Sequence, residues 1–137
     1  MNQVSTNTVK VRVCETDALG HISNISYFIY FEEARVEFFK RLSGEGAMKD
    51  LDIILAHTEC NFVNQGYFDD TLTVTTFVER VGNSSIQLIH QIKNQKHQLI
   101  AEGKATVVYF DFQRQRSIPL TTKMKEQLNR FSISTPS

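Results

Sequence analysis

The chain has 137 residues, a length that suits one compact domain spanning residues 1–137. Its 15 basic and 15 acidic residues cancel, which leaves no basic footprint for nucleic acid and no net pull toward an anionic membrane. Hydrophobic residues make up 41%, enough for a core, yet no apolar run approaches the roughly 20 residues that a membrane-spanning helix needs.

The first residues, MNQVSTNTVKVRV, lack the charged start and apolar stretch of a secretory signal. A cytoplasmic protein is expected, with its two cysteines, Cys14 and Cys60, as free thiols. No zinc-type spacing of ligands occurs, so neither a metal nor a cofactor is expected.

In chain order, Val9, Val11 and Val13 alternate with Lys10 and Arg12, which predicts a strand with one buried face. The polar stretch Cys14–His21, containing Gly20, reads as a loop. The period then changes. Tyr27, Tyr30, Phe31, Ala34, Phe38 and Leu42 form one apolar stripe on a helix of about four turns. Phe28, Ile29, Val36 and Phe39 lie off that stripe, so this helix is expected to be covered on more than one side. Ser23 or Asn24 is the natural N-cap and Gly44 the stop.

After a loop with Gly46, four strands are predicted: Ile53–Val63, Thr71–Val81, Ile86–Ile92 and Ile100–Phe112. The short links Gly66–Asp70, Gly82–Ser84 and Asn94–Gln98 predict antiparallel hairpins between successive strands. Thr121–Phe131 predicts a short C-terminal helix capped by Thr121 or Thr122. The ends, residues 1–6 and 132–137, are expected to fray. Strand, helix, then four strands gives an α+β arrangement, one long helix on one antiparallel sheet. The uncovered face and edges of such a sheet favour self-association.

The chemistry concentrates in Glu15–Tyr27. Asp17 lies in the loop before the helix, and Gly20 permits a tight path there. The helix start offers free N–H groups that favour a developing oxyanion. A carboxylate beside such donors suits attack on a carbonyl.

Asp17-Ala18-Leu19-Gly20-His21-Ile22-Ser23-Asn24, Tyr27 and Phe31-Glu32-Glu33-Ala34-Arg35 together resemble the signature of the 4-hydroxybenzoyl-CoA thioesterase family, which includes the Tol-Pal-associated type. The segment Asn61–Asn64 to Asp69–Val74 resembles the family's second strand, loop and third strand. The resemblance implies a hotdog fold, with one long helix wrapped by a five-stranded antiparallel sheet. It also implies a homodimer or homotetramer with sites at the subunit interface, and metal-free hydrolysis of acyl-CoA. By motif position, Asp17 matches the catalytic aspartate and Asn24 the residue whose backbone N–H polarises the thioester carbonyl. Gly20, His21 and Tyr27 match positions that shape the site.

Plainer roles stand beside these. Asp17 suits a turn, His21 a loop hydrogen bond, Asn24 an N-cap, and Tyr27 packing beneath the site. Glu32 and Glu33 are candidates for a second carboxylate, against a solvated helix face. Arg80, Asn83 and Ser84 could meet CoA phosphates, against a plain hairpin turn. His57, His90 and His97 are scattered and read as structural or surface residues. Acyl-CoA thioester hydrolysis is the expected function. The alternatives are a hotdog hydratase or dehydratase using Asp17 and His21, or a non-catalytic acyl-CoA-binding module.

Overall fold

The structure is a computed structural model that describes residues 3–43 and 52–132. Its elements are β1 (Ser5–Lys10), a single 3₁₀ turn (Val13–Glu15), α1 (Asn24–Ser43), β2 (Ile53–Phe62), β3 (Thr71–Val81), β4 (Ser85–Lys93), β5 (Leu99–Asp111), β6 (Arg116–Ser117) and α2 (Thr122–Asn129). The sheet is antiparallel in the order β1-β3-β4-β5-β2, with β6 added on β5. The architecture is α+β, with six strands and two helices where one long helix on five strands was expected. The two-residue β6 is too short to carry a period. The predicted C-terminal helix is present as α2, N-capped by Thr121, whose Oγ1 accepts from the Met124 N–H at 3.1 Å. No described helix is long and apolar enough to cross a membrane.

The helical period works as expected. Tyr27, Tyr30, Phe31, Ala34, Phe38 and Leu42 are all buried against the sheet. So are Leu72, Val74, Thr76 and Val78 of β3 and Ile86, Leu88, His90 and Ile92 of β4, one face of each strand. The helix and sheet approach closely at one point: a Cβ on Gly103 would stand 2.4 Å from Phe31 Cε2. Beside it the His90 ring stacks on Phe31, with centroids 5.2 Å apart and planes at 12°. His90 Nδ1 lies 2.8 Å from Thr76 Oγ1, while its Nε2 is buried and has no hydrogen-bond partner among the described residues. α2 closes the far end of the core through Met124 and Leu128.

Three expectations need correction. The first strand is Ser5–Lys10, not Val9–Val13. Val11 is buried, but Val13 is 71% exposed, because the hydrogen-bonded turn around Glu15 takes over from the ladder. Residues 3–6 are held rather than frayed: Gln3 N–H donates to Arg130 O, and the Arg41 guanidinium donates to Ser5 Oγ and Thr6 O. Finally, the link Gly66–Asp70 is no hairpin, since β2 pairs with β5 at one edge while β3 lies between β1 and β4. The Gly44 stop and the Gly46 loop lie outside the described residues.

The crossover from β2 to β3 docks on the loop before α1. Ile22 N–H donates to Gly66 O at 2.9 Å, and Phe68 N–H to Gly20 O at 3.0 Å. Gly66 lets the two segments approach closely, since a Cβ there would stand 2.3 Å from Ile22 Cδ1 and force that side chain to shift. Two distant segments thereby meet at the start of α1.

Candidate active site

The Asp17 loop is closed by its own carboxylate. Oδ1 accepts the N–H groups of Leu19 at 2.9 Å and His21 at 3.1 Å, while Asp17 N–H donates to His21 O at 2.8 Å. Gly20 takes φ +82°, the left-handed conformation that glycine adopts without strain. Asp17 is exposed, and its Oδ2 accepts no hydrogen bond among the described residues. One oxygen of the side chain therefore clamps the loop and the other is left free.

α1 begins at Asn24, which places Ser23 at the cap position. Ser23 N–H is committed to Glu15 O at 2.9 Å and Ser26 N–H to Ser23 O at 2.9 Å. The N–H groups of Asn24 and Ile25 have no acceptor among the described residues. Asn24 lines a half-open cavity of about 370 Å³ with Ile22, Tyr27, Phe62, Val63, Asn64 and Gln65. A helix-start residue with a free N–H thus borders a pocket that combines Ile22, Tyr27, Phe62 and Val63 with the polar Asn64 and Gln65, a setting suited to an acyl group and its carbonyl oxygen.

The other expected residues divide. Tyr27 is buried under the cavity, edge-on to Phe62 at 5.2 Å, with its hydroxyl against the Gly66 N–H. Burial pushes its pKa up to about 12, so it is a neutral packing group. The His21 ring packs edge-on against Tyr67 at 5.1 Å, and no hydrogen bond joins it to Asp17 among the described residues. Asp17, Gly20 and His21 form the loop next to Ile22 and are not part of the cavity wall.

Glu32 and Glu33 are exposed about 12 Å further along α1. Arg80, Asn83 and Ser84 lie at the other end of β3, about 30 Å from Thr71, where the crossover delivers the chain. Asn83 O and Ser84 O there accept backbone N–H groups of Leu120 and Tyr109. Among the described residues no three of His, Cys, Asp and Glu converge as metal ligands. Cys14 and Cys60 are free thiols, and burial pushes Cys60 up to about 11, leaving it protonated.

Glu15 is the residue that pattern reading missed. Its buried carboxylate accepts from Arg12 N–H at 2.9 Å, Arg12 Nε at 3.1 Å, Arg12 Nη2 at 3.0 Å and the Tyr30 hydroxyl at 3.0 Å. Burial alone would raise its pKa. The bonds from the Arg12 N–H, the Tyr30 hydroxyl and the Arg12 guanidinium outweigh that and hold the carboxyl below its ordinary range. The i, i+3 spacing of Arg12 and Glu15 was a visible hint of the pair. The link to Tyr30 was not. Phe62 and Val63 were read only as the end of a strand, though both are about half exposed and line the cavity.

A long helix cupped by one antiparallel sheet, with a pocket of mixed polar and apolar lining at the helix start, is the architecture of a hotdog thioesterase-type protein. The chain belongs to the Thioesterase-like superfamily, which matches residues 11–128. It is similar to a solved structure of a predicted thioesterase from Bacillus stearothermophilus, with 29% identity and a TM-score of 0.86 over 97% of this chain and 99% of that one. The uncharacterized protein YsmA of Bacillus subtilis is 30% identical over 89% of this chain and 83% of its own. The long-chain acyl-CoA thioesterase FadM of Escherichia coli is 23% identical over 89% of this chain and 95% of its own.

Proposed function

We propose that this protein hydrolyses acyl-CoA thioesters to the free acid and CoA, in the manner of the 4-hydroxybenzoyl-CoA thioesterase type. The observation that carries this is Asn24, a helix-start residue whose N–H has no acceptor among the described residues, lining a cavity with Ile22, Tyr27, Phe62, Val63, Asn64 and Gln65. The Asn24 N–H donates to the thioester carbonyl oxygen and stabilises the negative charge that develops there. One such donor is typically worth about 3 kcal/mol. The free Oδ2 of Asp17 either attacks the carbonyl carbon or takes a proton from the attacking water. In the first route CoA leaves as thiolate and water cleaves the resulting mixed anhydride. Both routes consume one water and end in acid and thiol. The name of the Escherichia coli relative supports acyl-CoA as the substrate class.

The working unit is a homodimer or homotetramer. Exposed Ile25 and Ile29 of α1 line one groove with exposed Leu55 of the edge strand β2, a combination that a second copy would cover. Arg80, Asn83 and Ser84 enter only as contacts to CoA phosphates from such a second copy, since they lie at the end of β3 away from Thr71, where the crossover delivers the chain.

The test is thiol release from short, long and aromatic acyl-CoAs by the wild type and Asp17→Asn. The amide keeps an Oδ1 acceptor for Leu19 and His21, so the loop survives while the charge is lost. Turnover should fall about 100-fold or more with binding retained. Normal hydrolysis by Asp17→Asn, with loss in Glu32→Gln or Glu33→Gln, would move the catalytic carboxylate onto the helix. Saturable binding without thiol release by the wild type would leave a binding module.

A further inference from the structure

Both halves of the proposed site hang from one residue that takes no part in the chemistry. Glu15 uses its backbone and its side chain for different tasks. Its carbonyl oxygen accepts Ser23 N–H at 2.9 Å and Ser26 Oγ–H at 2.9 Å, which fixes the residue before Asn24 and the first turn of α1. Its carboxylate is tied on one side to Arg12 and on the other to the hydroxyl of Tyr30, a fully buried residue of the core stripe of α1. One residue further on, Thr16 bridges to Ile22, and the Asp17 loop begins.

The chain therefore runs from the Arg12 turn through Glu15 to Asp17, then back to Ser23 and Asn24, with Glu15 bonded at each crossing. A buried carboxylate receiving four hydrogen bonds is rigid, and the groups it holds share one frame. The contact Tyr30–Glu15 joins that frame to the sheet-facing side of α1.

We infer that Glu15 is a positioning residue: through Tyr30, Arg12, Ser23 and Ser26 it holds the Asp17 loop and the N–H groups at the start of α1 in their mutual orientation. This rests on the proposed site, and it adds the residue that sets the site's geometry. A misplacement of about 1 Å between reacting groups costs on the order of 100-fold in rate. Glu15→Gln offers Tyr30 or Arg12 an N–H₂ group in place of an acceptor and removes the charge that holds Arg12. Tyr30→Phe removes one bond and leaves the Arg12 pair intact.

Three readouts test this: kcat and KM for an acyl-CoA that the wild type hydrolyses, thermal stability, and amide hydrogen exchange over residues 16–26. Measured well below the melting temperature, Glu15→Gln should lose about 10- to 100-fold in kcat with KM changed far less. Tyr30→Phe should lose several-fold. The double variant should be little worse than Glu15→Gln, because both break the same link. The amides of residues 16–26 should exchange faster in both single variants while the β3–β4 amides do not. A lowered melting temperature with kcat and local exchange unchanged would make Glu15 merely structural and overturn the inference. If Glu15→Gln does not fold, Tyr30→Phe decides by the same readouts. Asp17→Asn is the control for the reaction. Should it hydrolyse normally, the proposed catalytic role falls, while hydrogen exchange still tests the positioning.

Discussion

His90 makes the stability of this fold acid-sensitive in a calculable way. The ring is fully buried between Phe31 and Thr76, and its pKa is lowered from 6.5 to about 3 by burial and by the positive charge of Arg35. The charged groups facing it are few. Arg35 is the cation, and Glu32 lies beside Arg35 on α1. A histidine whose folded pKa is depressed adds stability that is present above its unfolded pKa and lost as pH falls toward the folded one. Between about pH 6.5 and 3 the unfolded chain binds one proton that the folded chain does not, and each pH unit then costs about 1.4 kcal/mol. From pH 7 to pH 5 the loss from this one group is about 2 kcal/mol, good to an order of magnitude. His90→Asn keeps a hydrogen-bonding side chain toward Thr76 and removes the titration. The assay is urea unfolding of wild type and variant at one protein concentration, at pH 7, 6 and 5. The wild type should lose about 2 kcal/mol more than the variant over that range. Glu15, whose pKa is lowered, is lost only as pH falls below the ordinary carboxylate range, so it does not obscure this window. Equal losses in the two proteins would refute the buried neutral histidine.

Gly103→Ala should destabilise the fold by about 1–3 kcal/mol, since its Cβ would meet three atoms of the Phe31 ring at 2.4–2.9 Å. Thermal unfolding checks this, and Phe31→Leu in the same chain should recover part of the loss. Gly66→Ala should drive the crossover off Ile22 and open the cavity that Tyr27 and Phe62 line, raising KM in the thiol-release assay more than it lowers the melting temperature. Chelator treatment should leave turnover intact, because one carboxylate and one imidazole are too few for a dedicated site. Loss of turnover that a divalent ion restores would overturn the metal-free mechanism.

What could be read from the residues, and what could not, follows from the range of each interaction. The stripe Tyr27–Leu42 and the alternation in β3, β4 and β5 are local periods, so burial on one face was visible without knowing the partner. Strand order is not local. Gly66–Asp70 looks like any turn, yet it joins two strands that do not pair, and only the contacts of Gly66 with Ile22 and Ile100 show why the glycine is there. The same limit hid Glu15. Its acid group has the appearance of a solvated loop residue until Tyr30, fifteen positions on, is folded against it. Asp17 carries two readings, a turn residue and a catalytic carboxylate. Sequence alone offers a turn role and a catalytic role for it side by side, because the bonds of a loop carboxylate depend on the folded path of the chain around it. The structure makes the two readings compatible: Oδ1 holds Leu19 and His21, and Oδ2 accepts no hydrogen bond among the described residues, which leaves it open to the proposed chemistry. A turn-forming aspartate is then a good catalytic one, since the bonds that close the loop also fix the direction of the oxygen left over. His21 follows from the same geometry. Its backbone N–H closes the loop on Asp17 and its ring packs against Tyr67, with no hydrogen bond from the ring to Asp17 among the described residues.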